Sequence, residues 1–444
     1  AMSERTNHRL FILRVLIFSL FFALIGRLYS MQIVNGDEYQ NLAADARLKE
    51  IVVPATRGLV LDSAGRVLLG NRMTPVVSVS ERTLALQPDK GLSVLTKLAP
   101  LLNTTVESLQ ARLTICGTKG AAKAPICWNG SPYQPIPVAK DVSTDTMVRI
   151  MERSIEFPGV TAEVQSVRQI PEPLGVNLAH VLGYLGPVND EELATRKGTD
   201  QELQRTDLIG RAGIESYYDD VLRGKPGVTT LAIDRTMAIL GTVNKTEPEP
   251  GSYLVLTIDA GLQSVVEKEL ATAVMRVRAA GHPGDGAAAV VVDVTNGDIL
   301  AMASYPTYDP AVWLNGISTK QYKSLTSKYS NQPLVMRAVQ GQYVPASTFK
   351  AITTLAAAKA GFPLSSGTYP CPSSIQIGNR EMRNHESHAA GNISLKRAIE
   401  ISCNTVFYGI GYKMWLQDGG LSPKENAKDP IETMAKALGL GSKT

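Results

Sequence analysis

Two short stretches of this chain carry side chains whose types and spacing suit acyl transfer. Ser347-Thr348-Phe349-Lys350 opens a run that is helical by composition, and Pro345 sits where proline starts helices. With Ser347 in the first turn, Lys350 three residues on shares its face. A serine hydroxyl is a poor nucleophile at neutral pH, and a free lysine is protonated. An apolar helix surface lowers the lysine pKa toward the range where the amine can take the serine proton. The helix N-terminus adds N–H groups that favour negative charge on an attacked oxygen. Ser402-Cys403-Asn404 lies between two apolar helical stretches, NISLKRAIEI and TVFYGIGYKMW. Its hydroxyl and amide could face one groove, the first to relay a proton to a leaving amine and the second to hold a substrate carbonyl. Each motif alone also has an ordinary reading: an N-cap serine with a solvated lysine, and a polar helix junction with a buried cysteine. His385 and His388 lack a third metal ligand and read as a solvated loop; Asp285 and Asp293, flanking a strand, read as structural.

The elements around these motifs set what could position them. At 444 residues, 44% hydrophobic and 19% charged, the chain is a globular protein too long for one ordinary core. Its net charge of +4 is spread along the sequence, which suits an anionic neighbour such as a membrane surface and argues against nucleic acid. Four cysteines without a C-x-x-C pair fit neither a disulfide-dense scaffold nor a zinc site. Cys116 and Cys127 share a Gly/Pro-rich loop and could pair outside the cytoplasm, although spacing alone leaves this open.

Leu10 to Val34 is an apolar run long enough, at about 37 Å as a helix, to cross a bilayer. Arg14 and Arg27 sit toward its ends, where they can snorkel. Arg5, Arg9 and Arg14 place residues 1–9 in the cytoplasm and the bulk of the chain outside the cell membrane. No small-x-small cleavage site follows, so the expectation is an uncleaved single-pass anchor rather than a signal peptide. A short amphipathic helix over Glu38–Leu48 leads away from it. Strands are expected over Ile51–Asn71 around a Ser63-Ala64-Gly65 turn, over Val76–Ser80, Val228–Asp234 and Ser252–Asp259. Helix is expected over Leu92–Leu113, Val142–Arg153, Asp207–Gly224 and from Leu262 onward. Residues 35–250 thus read as an α+β pedestal without a chemical cluster, and 251–444 as a second α+β domain. Asn296-Gly297 marks a hairpin in that second domain.

Taken together, S-x-x-K followed about 50 residues later by S-x-N is a serine/lysine acyl-transfer signature. From there the whole chain resembles class B penicillin-binding proteins. The likeness runs through Arg57-Gly58 with Asp62, GRAGIE (Gly210–Glu215), LRGKPG (Leu222–Gly227), LTID with Leu262-Gln263, Asn296–Pro310 and RAVQGQYVPASTFK (Arg337–Lys350). YLGPVNDEEL, DLIGRAGIE and YPCPSS look like the elongation-type branch. The resemblance implies a membrane anchor, a dimerisation-type pedestal, and a transpeptidase domain of helices on an antiparallel sheet. It implies Ser347 as nucleophile, Lys350 as its base, Ser402 as proton relay and Asn404 as holder of the acyl chain. The substrate would be the peptidoglycan stem peptide or its lipid-linked precursor, with β-lactams as covalent inhibitors. A SEDS-type glycan polymerase would dock on the anchor and pedestal, and no cofactor or metal would be needed.

An ion pair between Arg57 and Glu215 is suggested by the likeness. Two departures stand out: Ala346 where the family often has glycine, read as tolerable at a helix start, and Ser63 where it has arginine. The family's K-T-G strand is absent, and the terminal GLGSKT does not replace it. The sequence therefore reads as a partial chain, inactive as written. A non-catalytic activator of the polymerase, a β-lactam sensor and a carboxypeptidase are the competing readings; a single expected span disfavours the sensor.

Overall fold

The computed structural model describes residues 16, 18–30, 48–122, 126–131, 133–199, 202–233, 239–314, 317–364 and 366–442. The expected tail 1–9, the helix Glu38–Leu48 except Leu48, which opens a strand, and much of the anchor 10–34 lie outside these. Within the anchor, residues 18–29 are helical and their apolar side chains are exposed. No helix among the described residues is long and apolar enough to cross a membrane. The chain divides into two compact units, Ala1–Gly341 and Gln342–Thr444.

The first unit contains the pedestal. Strand β1 (Leu48–Val53) pairs antiparallel with β8 (Gly227–Ile233), which pairs with β9 (Ile239–Thr246). A second sheet is built on β3 (Val67–Val79), a single long strand where two were expected. β2 (Val60–Leu61), β4 (Ile136–Lys140) and β5 (Val160–Gln169) all pair antiparallel with β3, the turn before it falling at Ser63–Gly65. Leu68, Leu69, Val76, Val77 and Val79 are buried along it, so both ends of the strand anchor a core. Helices α1 (Leu92–Leu101), α2 (Val106–Leu113) and α3 (Thr144–Glu152) cover its far end, giving a cluster of Leu95, Leu98, Leu109, Ile150 and Phe157. Thr105 and Ser143 cap α2 and α3 by accepting a backbone N–H, which ends the preceding loops. Cys116 and Cys127 are joined in a disulfide that closes the Gly/Pro-rich loop.

The stretch Asp207–Gly224, expected as one helix, is strand β7 (Leu208–Gly210), paired antiparallel with β6 (Leu185–Pro187), followed by α4 (Gly213–Tyr217) and α5 (Asp219–Leu222). Glycine decides this: Gly213 has φ +57°, and a Cβ on Gly210 would lie 1.9 Å from the Glu215 carbonyl oxygen. The expected strand Ser252–Asp259 shrinks to β10 (Leu254–Val255), parallel to β2. Asp259 then caps α6 (Ala260–Ala279), which packs on the antiparallel hairpin β11 (Ala287–Val292) and β12 (Ile299–Tyr305). The hairpin turns at Asn296-Gly297, as the sequence indicates. Gln263, fully buried, donates to Met302 O at 2.9 Å and accepts from Met302 N at 2.7 Å. Glu267, one turn on, accepts from the backbone N–H groups of Asn177 and Leu178. These bonds make residues 251–341 part of the same compact unit as the pedestal.

The likeness-suggested ion pair exists and is larger than a pair. Arg57 donates to Glu215 at 2.6 Å and to Asp219 at 2.8 Å, and Arg168 donates to the other Glu215 oxygen at 2.8 Å. All four side chains are at most 9% exposed. Asp62 is fully buried and accepts from the Ala64, Arg66 and Ala260 N–H groups and from the Arg66 guanidinium. Those bonds outweigh its burial and hold its pKa below the usual carboxylate value.

The second unit holds α7 (Lys350–Lys359), β13 (Thr368–Cys371), β14 (Ser374–Ile377), β15 (Arg380–Arg383), β16 (Gly391–Ser394), α8 (Leu395–Glu400), α9 (Asn404–Gln417) and α10 (Pro430–Ala437). β13 pairs with β16 and β14 with β15, both antiparallel. Ala357, Tyr369, Leu395, Val406, Ile410 and Met414 form its core. Cys371 and Cys403 are also joined in a disulfide, so all four cysteines are paired. Setting the cysteines aside as unfit for a scaffold missed this second bond; their even number was the one available signal.

Candidate active site

Ser347 sits on a 3₁₀ turn, Ala346–Phe349, that runs directly into α7. In a 3₁₀ turn residues i and i+3 eclipse, which puts Ser347 and Lys350 on one side even more squarely than an α-helix would. The turn begins sharply because Ala346 has φ +48°. This is the physical reason a glycine suits the position: the left-handed conformation there costs a side-chain-bearing residue about 1–2 kcal/mol. Ala346 is therefore not a comfortable helix start, as the sequence suggested, but a strained one.

Ser402 lies between α8 and α9 and also takes a left-handed conformation, φ +56°. Cys403 follows as the N-cap of α9 without a side-chain cap bond, and Asn404 is the first residue of that helix. The reversal at Ser402 turns its hydroxyl and the Asn404 amide toward the start of α7. There the Ser402 hydroxyl bonds Ser347 Oγ at 2.8 Å. Lys350 Nζ donates to Ser402 Oγ and to Ser402 O, each at 2.8 Å, and to Asn404 Oδ1 at 2.6 Å. All four expected site residues are thus brought together. One detail differs from the expectation: the hydrogen bonds run from Ser347 to Lys350 through the Ser402 hydroxyl.

Ser347 is exposed, Lys350 half-buried. Burial pulls the Lys350 pKa below the ordinary lysine value, no charged group being among the causes. The Phe407 ring lies 5.4 Å from Nζ, a contact that favours the ammonium and opposes that shift. Ser347, Lys350 and Asn404 line a groove of about 770 Å³, continued by the apolar faces of Phe349, Phe407, Tyr412 and Trp415. His385, Glu386 and His388 stay in an exposed loop, and no group of three metal-ligating side chains occurs among the described residues. Asp293 accepts from Thr295 in the hairpin turn, the structural role expected of it.

A residue that the sequence did not point to sits behind the motif. Asn384 Oδ1 accepts from Thr405 N at 3.0 Å, and its Nδ2 donates to Pro372 O at 2.8 Å and His388 O at 2.7 Å. In sequence it is one asparagine in a polar loop, with nothing to distinguish it.

Residues 52–256 match the penicillin-binding protein dimerisation domain, and residues 287–444 match the penicillin-binding protein transpeptidase domain. The chain belongs to the class B penicillin-binding proteins and to their elongation-type branch, with a pedestal of the dimerisation type and a transpeptidase domain. It is 31% identical over 396 residues to the peptidoglycan D,D-transpeptidase MrdA of Escherichia coli K12, covering 88% of this chain and 58% of that protein. The MrdA of Acinetobacter baumannii is 29% identical over 92% of this chain and 58% of its own length. This chain therefore spans a little under three-fifths of these relatives. Among solved structures, a chain of the complex between penicillin-binding protein PBP2 and MreC from Helicobacter pylori superposes with a TM-score of 0.67 at 22% identity, over 89% of this chain and 66% of that one. A chain of a peptidoglycan synthase complex, described as coordinating polymerization and crosslinking, gives 0.59 at 26% identity over 98% of this chain and 68% of that one.

Proposed function

We propose that the protein is a serine-type peptidoglycan D,D-transpeptidase of cell-wall elongation. The single observation that carries this reading is the Ser402 hydroxyl standing 2.8 Å from both Ser347 Oγ and Lys350 Nζ. A neutral Lys350 keeps two N–H bonds, to Ser402 O and Asn404 Oδ1, and turns its lone pair to the Ser402 hydroxyl. That hydroxyl passes its proton to the amine and takes the proton of Ser347 as Ser347 Oγ attacks the D-Ala–D-Ala carbonyl. The carbonyl–nitrogen bond breaks, the leaving D-Ala amine receives the proton back from Lys350 through Ser402, and an acyl-Ser347 ester remains. The amine of a neighbouring stem peptide opens that ester and forms the cross-link, its surplus proton returning to the same relay. Asn404 orients the acyl chain, and β-lactams acylate Ser347 in the same way.

The reading extends to location and partners. Residues 10–34 anchor the protein once in the cell membrane, residues 1–9 inside and the rest outside. The chemistry and the relatives support a membrane glycan polymerase as partner, contacting the anchor and the pedestal. An activating role toward that polymerase is compatible with the enzymatic one.

The test uses the full-length gene product, since no K-T-G triplet occurs in these 444 residues. Fluorescent penicillin should add one covalent label to the wild type, seen by intact mass, and none to Ser347→Ala. Labelling that persists in Ser347→Ala removes the nucleophile assignment.

A further inference from the structure

The turn that carries Ser402 and Asn404 is held from behind by a set of bonds that take no part in the chemistry. Cys403, between the two working residues, is 3% exposed and bonded through sulfur to Cys371 at the end of β13. Thr405, the next residue but one, is 2% exposed. Its N–H goes to Asn384 Oδ1 at 3.0 Å and its hydroxyl donates to Pro372 O at 2.9 Å. Asn384 in turn donates to Pro372 O and His388 O, and its own N–H goes to Ser373 O at 3.1 Å. Asn404 Nδ2 reaches Arg383 O at 3.4 Å on the same loop. The segment 371–388 therefore grips Cys403 and Thr405 and fixes them to β13.

Such a grip is needed at this place. Ser402 is a non-glycine residue in left-handed conformation, and α9 starts without a side-chain cap. Conformations of this kind are strained and persist only where the surroundings over-determine them. We propose that Asn384 and the Cys371–Cys403 disulfide form a positioning clamp that sets the Ser402 hydroxyl and the Asn404 amide at bonding distance from Lys350. The inference rests on the transpeptidase reading for its kinetic consequence. Neither Asn384 nor the disulfide lines the groove, so the clamp acts on the reacting groups through the turn that carries residues 402 and 404. It also explains why a disulfide interrupts the motif at its middle residue, whose side chain points away from the reacting groups.

The clamp has a signature that loss of fold does not share. Ser402 O, Ser402 Oγ and Asn404 Oδ1 all accept from Lys350, and acceptors favour the ammonium form. Loosening the turn withdraws them, lowers the Lys350 pKa further and moves the acid limb of acylation to lower pH. It also misplaces the relay, which slows the chemical step on the order of 10²-fold, well beyond the weakening of reversible binding that a displaced Asn404 brings.

The experiment measures acylation of the full-length protein by fluorescent penicillin from pH 5 to 10. It separates the acylation constant from the binding constant and follows thermal unfolding. The variants are Asn384→Ala, the paired Cys371→Ala/Cys403→Ala, and Thr405→Val as a volume-conserving third. A fall in the acylation constant well beyond any loss of binding, with a displaced acid limb, supports the clamp. Unchanged acylation constants in the folded variants, or losses that follow unfolding alone with the acid limb in place, overturn it. Absence of Ser347-dependent labelling in the wild type would remove the transpeptidase reading instead. The clamp is then read from a crystal structure of Thr405→Val or Asn384→Ala: displaced residues 402–404 support it and an unmoved turn overturns it.

Discussion

The buried ion cluster of the pedestal and the candidate active site both gather polar groups around a cation, with opposite results. Arg57 and Arg168 share the Glu215 carboxylate, and Arg57 also reaches Asp219. Every charge there has an opposite charge in contact, the exposure is at most 9%, and arginine does not give up its proton. Lys350 is held by three oxygens as well, but all are neutral: a backbone carbonyl, a hydroxyl and an amide. A cation matched by carboxylates stays charged and ties elements together. A lysine matched only by dipoles, and partly withdrawn from water, is free to lose its proton. Similar bonding thus serves cohesion in one place and, in the proposed mechanism, proton transfer in the other.

The comparison can be broken most directly at the lysine. Lys350→Met should lower penicillin acylation of the full-length protein by about 10²–10⁴-fold, with an unfolding free energy within about 0.5 kcal/mol of the wild type. A large stability loss with little change in rate would reverse the contrast. Glu215→Ala is the converse: it leaves Arg57 and Arg168 without their shared carboxylate and should cost about 3–5 kcal/mol in denaturant unfolding. Labelling of the fraction that remains folded should persist.

A subtler change makes the site resemble the cluster. Asn404→Asp places a carboxylate where an amide oxygen now lies 2.6 Å from Nζ. An adjacent opposite charge favours the ammonium, so the Lys350 pKa rises and acylation requires higher pH, by about one unit or more. In the wild type burial holds the Lys350 pKa below the ordinary lysine value, and acylation should climb with pH through that lowered value. An acid limb that stays put in Asn404→Asp would show that Lys350 is not the titrating group. The smallest effect is expected at Ala346→Gly. Relief of the left-handed strain is partly offset by glycine's greater freedom in the unfolded chain, leaving a gain of under about 1 kcal/mol in unfolding free energy.

How legible all this was depends on distance along the chain. Ser347 with Lys350, and Ser402 with Asn404, were readable because each pair lies within one helical turn or one helix junction, where spacing fixes relative position. The hairpin at Asn296-Gly297 was readable for the same reason. Elements decided by close backbone approach were not: Asp207–Gly224 has a helical composition, yet the close approach of Gly210 to Glu215 O and of Gly213 to Val181 O splits it into a strand and two short helices. Asn384 was invisible, since the partners of its side-chain amide include positions 372, 388 and 405 and only the folded loop assembles them. The Cys371–Cys403 bond spans 32 residues, beyond what spacing can establish.

The sequence by itself determined the chemical vocabulary of this protein: a serine and a lysine on one helical face, and a serine and an asparagine at a helix junction. Local geometry follows from residue type and spacing, so these could be read without coordinates. The tertiary structure alone decided that the second serine stands between the nucleophile and the amine, because that contact closes a loop of 55 residues. It alone decided that the amine meets only neutral oxygens, since the burial and partners of a charge are properties of the packed chain.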